Sequence, residues 1–223
     1  MARKITSLIL KSIIVLSAIV GVVMQVVADS RNLLFFTIQS NMWICVACIV
    51  GLVLMLLKKQ PKNWMYLVKL IFTVSITLTG VVYCTMLAPL LGELAYTFSS
   101  VLLHVVVPLA SIVDFFVYDY TATYKWWQCV LVTIPPLYYL VFASIGYVLN
   151  WDFGYEQNYP YFFLNWGSPA GAFGFTTEFP YMGVFYYIMI LLVLVIGVGA
   201  LYIWLARITR RKIAFKQQSE RLI

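Results

Sequence analysis

Charged residues and histidine are scarce in this sequence. Only 10% of its 223 residues are charged, and His104 is the single histidine. So little charge excludes a soluble domain of this length, because a soluble surface needs far more polar side chains. One histidine also excludes a haem held between two histidines. The sequence therefore predicts a protein that uses no metal and no organic cofactor.

Cysteine is also rare, and all four cysteines lie inside or at the edge of apolar segments, at Cys45, Cys48, Cys84 and Cys129. Because none lies in a polar loop, we expect no disulfide framework. We interpret Cys45 and Cys48 as small packing residues within a span rather than as a redox pair.

Long apolar runs are what the sequence has in abundance. Hydrophobic residues make up 63% of the chain, and its mean hydropathy is +0.93. Runs of about 20 residues predict transmembrane helices, whereas a membrane barrel needs alternating strands about half as long. We predict an all-α polytopic bundle, a single domain over residues 1–223, with six spans at Leu8–Val27, Leu33–Leu57, Met65–Leu87, Phe98–Tyr118, Cys129–Leu149 and Tyr181–Leu205.

The basic residues predict the orientation of this bundle. An even number of spans places both termini on one side, and fourteen of the fifteen lysines and arginines then lie on that side, with Arg31 on the other. The positive-inside rule makes that side cytoplasmic, so the net charge of +7 does not indicate nucleic acid. Residues 207–223 form a basic cytoplasmic tail. A basic start and Val26-Val27-Ala28 resemble a signal peptide, but the run is long for one, and we expect an uncleaved first span.

Three further expectations concern the loop and two of the spans. The external connection 150–180 is rich in aromatic residues, so we expect it to fold back over the bundle mouth as a cap. Pro135-Pro136 should bend the fifth span, since each proline removes a helical hydrogen bond. Lys69 and Asp114 should lie near the same membrane face, as a candidate charge pair.

His104 lies in the outer part of the fourth span. An ionisable group at membrane depth is costly and is a functional candidate by default. Pro108, four residues later, has no N–H for the His104 carbonyl, so a local kink is expected. The alternative is a neutral histidine that hydrogen-bonds a neighbouring helix.

A polar cluster lies near the start of the second span, at Thr37, Ser40 and Asn41. Thr37 and His104 are each about 6–9 Å below the start of their spans at 1.5 Å per residue, so they share a level in the outer leaflet. A hydroxyl and an imidazole at one depth form a nucleophile–base pair if their helices touch. Asn41 or Ser40 would then donate to the oxyanion. The alternative is a threonine that bonds its own helix backbone.

Three motifs follow one another along the chain: Phe35-Phe36-Thr37-Ile38-Gln39-Ser40-Asn41, Leu103-His104-Val105-Val106-Val107-Pro108 with Asp114 beyond, and Tyr159-Pro160-Tyr161-Phe162-Phe163-Leu164. Together they resemble the androgen-induced protein family, which includes the androgen-dependent regulator of tissue factor pathway inhibitor. The order and spacing of the spans are similar over the whole chain, and the last motif resembles the bacterial six-helix branch. The resemblance implies an intramembrane threonine hydrolase with Thr37 and His104 as its catalytic residues. Animal members cleave fatty acid esters of hydroxy fatty acids.

The sequence thus favours a lipid-ester hydrolase in a bacterial plasma membrane, with its site toward the outer leaflet. Its partners would be membrane lipids or a lipid-ester substrate, with no nucleic acid and no required protein partner. The alternative is a non-enzymatic binder or carrier of lipids or small molecules. In a third, weaker hypothesis the chain is a scaffold whose basic tail engages anionic lipid.

Overall fold

Six helices are long and apolar enough to cross a membrane, which confirms the predicted all-α, multi-pass architecture. A computed structural model describes residues 2–154 and 156–220, and within them no β-strand forms. The helices are α1 (Ala2–Ala28), α2 (Phe36–Leu56), α3 (Asn63–Tyr96), α4 (Phe98–Val117), α5 (Trp126–Val148) and α6 (Val184–Glu220), the last apolar over Val184–Ile213.

The third helix is the centre of the bundle. In its most apolar stretch, 56% of the residues are buried inside the protein, a larger share than in any other of the six helices. α1 packs along α2 and α4, and α3 covers the other side of the same two helices. α5 and α6 pack against α3 in turn, and α6 meets α5 mainly at the turns where α5 begins. The helices α2 and α4, which carry the predicted site residues Thr37 and His104, therefore lie between α1 and α3.

Several predicted boundaries differ from the structure. The second span begins at Phe36 rather than at Leu33, because Ser30–Leu34 forms a 3₁₀ turn and Phe35 is extended. At Pro135-Pro136, where the sequence predicts a bend, α5 changes from 3₁₀ turns to a regular α-helix. These prolines lie in the first turn of the regular helix Ile134–Val148, where a missing N–H removes no hydrogen bond. The basic tail continues α6 as a helix to Glu220, and residues 221–223 lie outside the described part.

The connection after α5 packs its aromatic side chains against one end of the bundle. Phe153, Phe163 and Leu164 are buried, and the Tyr161 ring stacks on Phe163 and meets the edge of Phe35. We call this end of the molecule the loop end. The opposite end, which carries 57–62, 118–128 and the last turns of α6, is the basic end.

An ion pair ties the α1–α2 connection to this loop. Arg31 pairs with Asp29 and Asp152, both on the surface. The Arg31 guanidinium lowers the pKa of Asp29. The Gly154 backbone N–H and then Arg31 lower the pKa of Asp152. Arg31 thus links two connections at the loop end.

A buried ionic cluster joins α1, α3 and α4 toward the basic end. Lys69 Nζ lies 3.3 Å from Asp114 Oδ2, as the predicted pair requires. The shorter contact comes from Lys11, whose Nζ lies 2.7 Å from the same oxygen. Ser7 donates to Asp114 Oδ1 at 2.6 Å. The cluster satisfies the Asp114 carboxylate with donors from two other helices, which is what a buried charge needs.

Candidate active site

The helical geometry is disturbed on both sides of the predicted site. π-helical turns form at Tyr83–Leu87 in α3 and at Leu102–Val106 in α4, and the second contains His104. Pro108 explains the turn in α4, because it has no N–H for the His104 carbonyl, and Val107 N–H bonds back to Leu102. Such turns inside α-helices are frequent at functional sites.

Gly80 of α3 allows the two helices to approach at this point. A Cβ on Gly80 would lie 3.1 Å from the His104 carbonyl oxygen and 3.1 Å from Pro108 Cβ. These are a backbone atom and a proline ring, neither of which moves easily. The glycine therefore determines how closely α3 packs on the disturbed turn of α4.

Thr37 lies in the first turn of α2, and this position frees its hydroxyl. Thr73, Thr77 and Thr79 of α3 each donate to the carbonyl four residues earlier. Thr37 cannot make the same bond within α2, because Leu33, four residues earlier, precedes the helix. Thr37 Oγ1 instead lies 3.3 Å from His104 Nε2. The alternative in which Thr37 bonds its own helix backbone is thus not the arrangement seen.

The hydrogen bonds of His104 define its tautomer. Nδ1 lies 2.9 Å from the Ser100 carbonyl oxygen, which only accepts, so Nδ1 carries the proton of the neutral ring. Nε2 is then the acceptor that faces the Thr37 hydroxyl. A backbone carbonyl takes the orienting role that a carboxylate has in the Ser-His-Asp triad. The pair is arranged so that the ring is able to accept the hydroxyl proton.

Tyr83 covers the imidazole, and no sequence pattern singled it out. Its ring stacks on His104 with centroids 3.5 Å apart and planes 13° apart. The Tyr83 hydroxyl donates to the Ala95 carbonyl, which holds the ring in place. An aromatic face also favours a protonated imidazole, because the ring quadrupole attracts cations. Tyr83 is the first residue of the π-helical turn of α3.

Ser40 and Asn41 lie beside the pair, but their donors are already engaged. Asn41 Nδ2 donates to the Thr37 carbonyl at 2.8 Å and to the Leu103 carbonyl at 3.2 Å. Ser40 Oγ bonds the Thr37 carbonyl at 3.1 Å and Thr79 Oγ1 at 2.8 Å. Both side chains are fully buried. In this arrangement they hold α2 against α3 and α4 and leave no hydrogen for the oxyanion role that their spacing suggests.

Tyr161 of the loop is the donor that sequence reasoning missed. Its hydroxyl accepts the Thr37 backbone N–H at 3.4 Å, which leaves its own hydrogen free for another acceptor. The sequence signal was the aromatic stretch around Tyr159–Leu164, but nothing in it distinguished one tyrosine from the next. The Tyr161 hydroxyl therefore lies beside Thr37 with a hydrogen to donate.

An apolar cavity of about 80 Å³ opens beside Thr37. Tyr139, Tyr161 and Leu164 line it toward the loop, and Leu137 of α5 and Ile188 of α6 line it toward the outer surface of the bundle. Leu137 is itself exposed on that surface. His104 is only 8% exposed and lies behind Thr37 rather than on the cavity wall. The nucleophile candidate is thus accessible while the base candidate is shielded.

Fold and site together define a six-helix membrane protein with a threonine–histidine pair beside an apolar cavity. In the described residues no group of three or more His, Cys, Asp or Glu side chains has a metal-binding arrangement. Comparisons of the chain with protein-family models, with curated proteins and with solved structures returned no match.

Proposed function

We propose that this protein is an intramembrane hydrolase of lipid esters, with Thr37 as nucleophile and His104 as general base. The observation that carries the proposal is the 3.3 Å approach of Thr37 Oγ1 to His104 Nε2, beside an apolar cavity. The motif resemblance to the androgen-induced family points to the same two residues and to the same substrate class. The site needs no metal or organic cofactor for this chemistry.

The reaction begins with transfer of the Thr37 hydroxyl proton to His104 Nε2. The alkoxide attacks the acyl carbonyl carbon, and the oxyanion forms beside the Tyr161 hydroxyl, which donates its hydrogen to it. The C–O bond of the ester then breaks, and His104 returns its proton to the leaving alcohol. The acyl group remains on Thr37 as an ester.

Water completes the cycle by the same route. His104 takes a proton from a water molecule, and the resulting hydroxide attacks the acyl-threonine carbonyl. The Thr37–acyl bond breaks, the threonine oxygen recovers its proton, and a carboxylic acid leaves. While the imidazole is charged, the Ser100 carbonyl and the Tyr83 ring face stabilise it.

The cavity supports a substrate that arrives from the membrane. Its lining is almost entirely apolar, and it is bounded by α5 and α6 at a surface that faces the bilayer. The basic residues cluster at the opposite end of the bundle, so the positive-inside rule favours a site in the outer leaflet, in a bacterial plasma membrane.

Labelling by a fluorophosphonate probe tests the proposal on the full chain in detergent. The expected results are a labelled peptide that contains Thr37, labelling of Thr37→Ser, and none of Thr37→Val. His104→Gln should slow labelling by about 10²–10⁴-fold, the usual contribution of a general base. Thr85→Val is the matched control, because Thr85 bonds its own helix and is exposed. Undiminished labelling of a folded Thr37→Val protein would exclude the proposal.

Binding without chemistry is the second candidate function. The observations that favour it are the shielded His104 and a cavity of about 80 Å³, which holds only a segment of an acyl chain. An ester-linked lipid that co-purifies with the wild-type protein and stays intact over a long incubation would support this alternative.

A further inference from the structure

A second cavity lies toward the basic end, at the buried ionic cluster. Its volume is about 230 Å³, and α1, α2, α3 and the turn after α4 line it. Most of the wall is apolar, with Val46, Val50, Leu54 and Phe72 among its residues. Within the described part of the chain, the charged side chains on this wall are Lys11, Lys69 and Asp119, and all three are buried.

The cluster leaves one carboxylate short of hydrogen bonds. Lys11 Nζ donates to Asp114 and is 3.8 Å from Asp119 Oδ1, beyond hydrogen-bond distance. Asp119 is only 4% exposed, and in the described residues its Oδ2 has no hydrogen-bond partner. A buried carboxylate oxygen without a donor is costly, so a ligand that supplies one gains affinity here.

The charges of the cluster select the kind of donor. Two lysines and two aspartates balance, so an added ammonium group would leave an uncompensated positive charge at a buried site. An added carboxylate or phosphate would face Asp119 directly. A neutral hydroxyl group supplies the missing hydrogen bond without changing the charge. The apolar wall then fits a hydrocarbon body.

The cluster is held in place by packing that does not depend on a ligand. The Lys11 stem crosses α2 at Gly51, where an added Cβ would lie 2.9 Å from Lys11 Cε. The Lys11 ammonium also lies 5.2 Å from the centre of the Tyr118 ring. Lys69 donates to Cys48 Sγ. The lysines are therefore fixed on their own partners, and the acceptor on Asp119 remains for another molecule.

We propose that this cavity binds a neutral lipid alcohol, such as a monoacylglycerol or a fatty alcohol, whose hydroxyl donates to Asp119 and whose hydrocarbon chain lies along α2 and α3. The site is separate from Thr37 and His104, and it does not depend on the hydrolase proposal. It belongs to the ion-paired half of the bundle, whereas the hydrolase candidate belongs to the loop end.

Photo-crosslinking of the full chain in lipid nanodiscs tests the proposal. The probes are a diazirine-bearing long-chain alcohol with an alkyne tag, its methyl ether, and the corresponding primary amine. The alcohol should label peptides of 46–55 or 61–72 about tenfold more than either analogue, since a hydrogen bond to a charged group is worth at least that factor.

Two variants localise the label. Val50→Trp fills the cavity from its wall and should abolish labelling at these peptides. Val53→Trp is the matched control, because Val53 is on the same helix, is 47% exposed against 40% for Val50, and lies off the cavity wall. Asp119→Ala should reduce alcohol labelling to the level of the ether. Equal labelling by alcohol and ether would show that the hydroxyl makes no hydrogen bond to Asp119, and labelling that survives Val50→Trp would place the probe outside the cavity; either result would overturn the proposal.

Discussion

At the scale of single residues, the position of a threonine within its helix decides what its hydroxyl does. Thr73, Thr77 and Thr79 lie well inside α3 and bond its carbonyls. Thr37 lies in the first turn of α2 and meets an imidazole instead. Spacing along the sequence predicted the polar cluster and its common level with His104. It did not predict Tyr83 or Tyr161, because sixteen tyrosines are spread along the chain and only the fold selects two of them.

Replacing Tyr161 with phenylalanine tests its place in the chemistry. The stack on Phe163 and the contact with Phe35 remain in this variant, so the protein should stay folded. Loss of the hydroxyl should slow fluorophosphonate labelling of Thr37 by about a hundredfold, as removal of one oxyanion donor does in other hydrolases. Tyr159→Phe, in the same loop, is the control and should label at the wild-type rate. An unchanged rate for Tyr161→Phe would remove this tyrosine from the mechanism.

At the scale of helices, two π-helical turns determine which side chains reach the site. Pro108 predicted a disturbance near His104, and the structure gives it the form of the turn Leu102–Val106. The matching turn Tyr83–Leu87 in α3 was not predicted, although Pro89 follows it at the same distance at which Pro108 follows the turn in α4. Cys84, within this turn, is exposed.

Gly80→Ala should disturb the site without touching its chemical groups. The new methyl group meets the His104 carbonyl and Pro108 at about 3.1 Å, so the helices must separate. We expect a loss of about 1–3 kcal/mol in unfolding free energy, typical of overpacking, together with slower labelling of Thr37. Thermal unfolding and labelling rates on the same preparations measure both effects.

Gly197→Ala is the control for this substitution. Gly197 lies in α6. Among the described residues beyond its own turn of helix, no atom lies within 4 Å of a Cβ added at this position, so the new methyl group meets open space. The variant should leave both measurements near the wild-type values or raise stability slightly, since alanine favours a helix over glycine. Equal behaviour of the two variants would contradict the close approach of α3 to α4.

Helix identities followed from hydropathy, but helix ends depended on local contacts that composition does not reveal. Phe35 is extended and ends the 3₁₀ turn Ser30–Leu34, which Asp29 caps through the Arg31 backbone N–H. Pro135 and Pro136 lie in the first turn of a regular helix that follows two short 3₁₀ turns. In both places an apolar run of sequence is interrupted by a turn that hydropathy alone does not show.

At the scale of the whole molecule, the buried cluster around Asp114 connects three helices that are distant in sequence. The sequence predicted the Lys69–Asp114 pair because both residues should lie at one membrane face. It did not predict a role for Lys11, whose place near the N-terminus indicates only the orientation of the chain. In the structure the α1 lysine lies closer to Asp114 than Lys69 does.

Asp114→Leu should destabilise the fold strongly, because it leaves Lys11 and Lys69 buried with one carboxylate fewer. Loss of one partner from a buried ion pair costs about 3–5 kcal/mol. The double variant Lys11→Met with Asp114→Leu keeps Lys69 and Asp119 in balance and should recover much of that loss. Thermal unfolding in detergent measures both, and a double variant no more stable than the single one would contradict the pairing.

The cavity beside Thr37 is bounded by α5 and α6 and reaches the bilayer-facing surface at Leu137. A molecule that enters there is already dissolved in the surrounding lipid and crosses no aqueous phase. The concentration that determines binding is then the amount of the molecule per area of membrane rather than per volume of buffer. Under the hydrolase proposal, occupancy follows the mole fraction of the ester in the bilayer, and diluting the ester with inert phospholipid should lower turnover even when its amount per volume of buffer is constant.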